Sequence, residues 1–171
     1  MFFKFRRMRA MDPLQVAMTG VRMGERYLQL FCDDATLTSG LAMKTGLSGT
    51  AALAAPDESH AARARAAASK AGALIDVQVG APSAWSWEPA AFDMIVIDNT
   101  GRTLTEMNDS DRTPLLTAAR HLLRQGGRVE LIERVNSAPS SSEAFLQGAG
   151  FRPVRTLAEK DGFRFIEGLN A

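Results

Sequence analysis

Residues 92–98 read FDMIVID. The stretch is β-branched and apolar, and too hydrophobic to turn either face to water. A strand of that kind belongs inside a parallel sheet covered by helices on both sides. The flanking sequence obeys this demand. Downstream, a helix is expected over about 111–124; it ends in RQGG, where a glycine stop belongs, and a strand follows from Arg128 to Val135. Upstream, short apolar runs at Tyr27–Cys32, Gly49–Ala55 and Leu74–Val79 read as strands. A helix from Thr36 to Lys44, ended by Gly46, separates the first two. ESHAARARAAASKA (58–71), capped by Asp57 and stopped by Gly72, separates the second and third.

The two ends follow the same grammar. Asp12-Pro13 is a helix-start signal for a helix over about 11–22, with Leu14, Ala17, Met18 and Val21 on one face. A short helix is expected over 142–148, after a Ser/Pro loop at 137–142. FRPVRTL and GFRFIEG, joined by AEKDG, read as a terminal hairpin. Strands alternating with helices imply a mostly parallel sheet with helices on both faces. Right-handed crossovers then put the ligand crevice beyond the ends of the first and fourth strands, at Phe31–Ala35 and Asp98–Gly101.

Composition narrows the function classes. The chain has 171 residues, 46% hydrophobic and 23% charged, with a net charge of +1. One domain with a sizeable core is expected over 12–171, preceded by a basic segment at 1–11. No bulk field draws it to nucleic acid. The single Cys32 excludes an internal disulfide and a cysteine zinc cluster, and suits a reducing, cytoplasmic setting. No run approaches the roughly 18 apolar residues of a spanning helix. MFFKFRRMRAM at the start lacks a continuous apolar core and a cleavage site, so it is not read as a secretory signal. Its phenylalanines and methionines among Lys4, Arg6, Arg7 and Arg9 offer a sticky segment for a partner or a membrane surface; the alternative is a terminus packed on the domain.

GERYLQLFCDDATL (24–37), AAPDESHAARARAAASKAG (54–72), AAFDMIVID (90–98), AARHLLRQGGRVELIE (118–133) and the late GFRPV (150–154) together resemble the class I S-adenosylmethionine (SAM) dependent methyltransferases. The resemblance covers roughly residues 12–170. It implies a three-layer Rossmann-like fold with seven strands in the order 3-2-1-4-5-7-6, the seventh antiparallel in a C-terminal hairpin. It also implies a SAM site, whose first-strand loop in the family runs G-x-x-x-L-D-x-G-x-G-x-G. Carried over residue by residue, the acidic residue of the first strand falls on Gln29. The three glycines fall on Phe31, Asp33 and Ala35. The ribose-binding acid after the second strand falls on Ala55, with Asp57 two residues on as a possible substitute. The adenine-side acid falls on Ala81 in VGAP.

Every characteristic cofactor position has therefore changed. Phe31 either presents a ring to the ligand surface or turns inward. Asp33 stands where φ > 0 is in question, and its carboxylate is expected to cap the next helix and to repel the carboxylate of SAM. Gln29, Phe31, Asp33, Asp57 and Asp98 would face a cofactor only if the ancestral pocket is open, and no cofactor is expected otherwise. No residues are assigned to catalysis or to a metal. Asp98-Asn99 reads equally as site residues or turn formers. Trp85 and Trp87 are expected to pack under a loop beside the adenine pocket, Cys32 to be a buried thiol, and His60 and His121 to hold surface or packing places. Three functions stay open: a non-catalytic scaffold that binds a protein partner through the basic segment or the crevice, a divergent active methyltransferase using SAM, and a fold that binds another nucleotide or metabolite.

Overall fold

In a computed structural model, residues 13–135 and 142–171 are described. The expected Asp12 cap, the basic segment and the loop at 137–141 lie outside them. In chain order the elements are α1 (Pro13–Met18), β1 (Arg26–Leu30), α2 (Ala35–Thr45), β2 (Thr50–Ala55), α3 (Glu58–Ala71), β3 (Asp76–Val79), a 3₁₀ turn (Pro82–Ala84), β4 (Phe92–Asn99), α4 (Thr103–Glu106), α5 (Asp109–Leu122), β5 (Leu123–Arg134), α6 (Ser142–Gly148), β6 (Val154–Lys160) and β7 (Phe163–Leu169). They build a seven-stranded sheet in the order β3-β2-β1-β4-β5-β7-β6. β1 to β5 are parallel, and β7 runs antiparallel between β5 and β6. The alternation of elements implied the mostly parallel sheet, and the resemblance implied this strand order with its antiparallel β7.

The strand that demanded burial receives it. Met94, Ile95, Val96 and Ile97 are fully buried. Ile95 and Ile97 pack with Leu28, Leu30, Leu115, Leu116 and Ala119 on the α5 side, while Met94 and Val96 pack with Tyr27, Leu37 and Leu41 on the α1–α2 side. The small residues of β2 let α3 lie close, through Ala61 and Ala64. Asp57 caps α3 by accepting from the His60 amide, and Gly72 ends it in the left-handed region.

Four boundaries differ from the sequence expectation. α1 stops at Met18, because the Thr19 hydroxyl turns back to the Val16 carbonyl and Gly20 takes φ +70. Its buried face is Gln15 and Val16, while Ala17 is exposed. β3 starts at Asp76, leaving Leu74 79% exposed at the sheet edge. The glycines of RQGG do not stop α5: the strand begins at Leu123, and Gly126-Gly127 lie in a bulge where the register jumps between Phe92↔Leu123 and Met94↔Arg128. The terminal hairpin turns on Asp161-Gly162 alone, both at positive φ, so AEK belongs to β6.

Candidate functional site

The β1–α2 turn is shaped by its substitutions. Phe31, on the first family glycine, holds φ +68, the backbone a glycine would take freely. Its ring turns inward and is 1% exposed, packed in the α5-side core. Gln29 is sealed inside: its amide nitrogen donates to the Phe31 carbonyl at 2.8 Å and to the Thr38 hydroxyl at 2.9 Å. The same hydroxyl meets Cys32 Sγ at 3.2 Å, and burial pushes that thiol up to about 11, so it stays neutral and inert. The helix cap falls one residue later than expected. Asp34, not Asp33, is the N-cap of α2, accepting from the Thr36 amide at 2.9 Å. Asp33 is also absent from the residues at positive φ.

Freed from capping, Asp33 reaches across the crevice. Its side chain is 3% exposed. It accepts from the Gly101 amide at 2.9 Å, the Thr103 amide at 3.3 Å and the Thr103 hydroxyl at 2.5 Å, all in the turn after β4. His60 Nε2, from the first turn of α3, lies 3.3 Å from the same carboxylate. His60 Nδ1 faces Asp57 at 3.0 Å. Asp57 itself is 58% exposed and held low chiefly by the His60 amide, so in this structure its carboxylate is engaged with the first turn of its own helix. His60, expected at a packing place, is thus part of this cluster. The signal was its position three residues after the Asp57 cap, in a helix whose N-terminus borders the crevice.

Behind Asp33, Asp98 is fully buried. It accepts from the Asp34 amide at 2.7 Å and from the Thr100 hydroxyl at 2.6 Å. Burial pushes its carboxyl up to about 7, against the pull of those donors. Asn99 acts as a cap: its side-chain oxygen accepts from the Leu104 and Thr105 amides. Asp98 and Asn99 thus hold the turns beside the crevice in place. The sequence reading missed the neighbouring Glu133, which is buried between Arg164 at 3.0 Å and Ser142 at 2.6 Å. A charged residue closing the apolar run VELIE was its only signal. It also missed Arg112, whose guanidinium holds the Leu104, Thr105 and Met107 carbonyls and stacks 3.9 Å over the Phe145 ring.

A cavity of about 460 Å³ remains on the other side of Phe31. Phe31, Ala55, Ala81, Trp85, Met107 and Leu115 line it, but Asp33, Asp98, Gly101 and Thr103 do not. Trp85 leans on Trp87 at 5.8 Å, and Trp87 meets Phe92 edge-on while its ring nitrogen donates to Asp76 at 2.7 Å. The tryptophans pack under the loop as expected, with Trp85 as one wall. Among the described residues, no group of His, Cys, Asp and Glu is arranged to hold a metal ion. No helix there is long and apolar enough to cross a membrane.

Solved structures share this architecture. A SAM dependent methyltransferase from Aquifex aeolicus aligns with TM-score 0.76 and 14% identity, over 94% of this chain and 90% of its own. A SAM-dependent O-methyltransferase from Thermotoga maritima gives 0.67 and 13%, over 92% and 63%. TrmN from Thermus thermophilus gives 0.67 and 21%, over 92% and 47%. The chain thus spans nearly all of the first and about half of the last. The sequence matches no protein-family model, and a search of curated proteins finds no match. The fold is that of the class I SAM-dependent methyltransferases.

Proposed function

We propose that this chain is a non-catalytic, methyltransferase-like protein that works by binding a protein partner. One observation carries the reading: the Asp33 carboxylate bridges the turns after β1 and β4, accepting from Gly101 and Thr103. A SAM amino-acid tail would have to displace a carboxylate that already holds those donors. The acids that would grip the rest of the cofactor are absent, since Ala55 and Ala81 stand in their places. Each lost charge-assisted hydrogen bond is worth about 1.5–3 kcal/mol, and every 1.4 kcal/mol is tenfold in affinity. The sheet then serves as a scaffold in a cytoplasmic setting. The partner contacts fall to the basic segment 1–11 or to the crevice rim.

Thermal unfolding with and without SAM tests the reading. A ligand at 100 times its dissociation constant adds about 2.7 kcal/mol. No rise in Tm is expected, and a clear rise overturns the proposal. Removal of residues 1–11 is expected to abolish partner capture if that segment carries it.

The cavity beside Phe31 favours a second reading, a divergent SAM-dependent methyltransferase. Its volume lies within the roughly 300–1,000 Å³ of small-molecule sites. Transfer of a labelled methyl group from SAM to any component of a cell extract would decide for it.

A further inference from the structure

The end of the sheet opposite the crevice carries a second surface. β1 to β5 are parallel, so their first residues share that end, and the loops entering β1, β2 and β3 meet there. Five large hydrophobic side chains are exposed among the described residues, and four of them stand here: Met23, Met43, Leu47 and Leu74, with Leu47 at 88% and Met23 at 80%. Met43, Leu47 and Leu74 line a groove of about 550 Å³ between the last turns of α2 and α3. Met23 joins them beside Gly46, where an added Cβ would lie 4.0 Å from its Cγ. Single exposed hydrophobics are ordinary on a protein surface, whereas a cluster of them marks an interaction site.

Cations border the patch. Arg22 precedes the exposed Met23, and Lys44 and Lys70 stand in the last turns of α2 and α3. Arg26 and Arg124, at the starts of β1 and β5, are half-exposed, while Asp93, which they share, is mostly covered. Glu25 is turned inward as well, and accepts from the Arg22 amide at 2.8 Å. Asp76, on the groove wall, is exposed and accepts from the Trp87 ring nitrogen.

We propose that this end of the sheet docks the protein on an anionic lipid surface. Met23, Leu47 and Leu74 enter between the headgroups, and Arg22, Lys44 and Lys70 meet the headgroup phosphates. Charge selects this occupant. A bilayer with a negative face over an apolar interior suits both parts of the patch. The chain's own segment 1–11 offers phenylalanines, but its Lys4, Arg6, Arg7 and Arg9 are repelled by the cationic border. A second copy seated symmetrically would set the same cations against one another. The face lies away from the crevice, so the inference does not depend on whether SAM binds.

Co-sedimentation of the full chain with vesicles tests it, using phosphatidylcholine alone and a two-to-one mixture of phosphatidylcholine and phosphatidylglycerol. Binding to the mixture is expected to be at least about tenfold tighter, with a preference that shrinks as salt is raised. Leu47→Ser with Leu74→Ser is expected to weaken it about tenfold or more. Arg22→Gln and Lys44→Gln are each expected to weaken it about fivefold. Peroxide oxidation of Met23 and Met43 in the wild type, read by peptide mass spectrometry, needs no variant and is expected to slow several-fold on the mixed vesicles. Equal binding to both vesicle types overturns the proposal. So does binding that the leucine substitutions leave unchanged and removal of residues 1–11 abolishes, or methionine oxidation that bound vesicles do not slow. Absence of vesicle binding overturns it outright, and a dimer dissolved by the same leucine substitutions then gives the face to a second copy.

Discussion

At the residue scale, Phe31 holds two opposing terms in one side chain. Its ring belongs to the core, yet its backbone sits at φ +68, which costs an L-residue about 1–2 kcal/mol. Phe31→Ala keeps the backbone penalty and loses the ring, so it is expected to cost about 3–5 kcal/mol in urea denaturation. Phe31→Gly also loses the ring but releases the backbone, so it is expected to cost less by about 1–2 kcal/mol. The reverse order would show that the turn is unstrained. Sequence reasoning identified Phe31 as the substituted glycine and left its ring two destinations. Only the packing of Leu30, Leu104 and Leu115 around it decides for the core.

At the element scale, the same backbone term can be isolated. Gly162, in the β6–β7 turn, sits at φ +82 with nothing near the position of an added Cβ. Gly162→Ala is therefore expected to cost about 1–2 kcal/mol from backbone strain alone. Gly148, at the end of α6, is equally open but has no positive φ. Gly148→Ala is expected to be neutral, or to stabilise by up to about 1 kcal/mol. Chemical denaturation of the two variants compares them directly. The elements themselves were legible wherever periodicity and caps agreed, as at β4, α3 and the α2 stop at Gly46. RQGG misled because consecutive glycines suit a helix stop and a bulge alike. Asn170 resolves it from 46 residues away: its side chain donates to the Leu123 and Arg124 carbonyls, and its amide donates to Gly127.

At the scale of the whole molecule, two buried carboxyls set the response to pH. Burial raises Asp98 to about 7 and Glu130, on β5, to about 8. A carboxyl raised on folding binds its proton more tightly in the native state. Its stabilising contribution is full below the unfolded value near pH 4 and is lost as pH rises through the folded value. Stability measured by urea denaturation is expected to fall between about pH 5 and pH 8, and Glu130→Gln is expected to flatten that slope. Asp93 works in the opposite sense. The Arg26 guanidinium holds it well below the usual carboxylate range, so its contribution is present at neutral pH and lost only in acid, below about pH 4. The steep part of the neutral profile therefore belongs to the two buried groups.

The sequence by itself determined the architecture. The apolar run of β4, the alternation of strands and helices, and the caps at Asp57 and Gly72 are local signals, and they suffice for a mostly parallel sheet; the order of its strands came with the family resemblance. It also determined which cofactor positions had changed, because identity at a position needs no coordinates. What only the tertiary structure decided is where the changed side chains went. Asp33 could have capped its own helix; the cap went to Asp34, and Asp33 found Gly101 and Thr103 about 70 residues further on. Asp98 bonds Asp34 from the next strand of the sheet, and His60 arrives from α3. Buried polar groups must find partners, and those partners come from whichever segments the fold brings near, which no window of neighbouring residues contains.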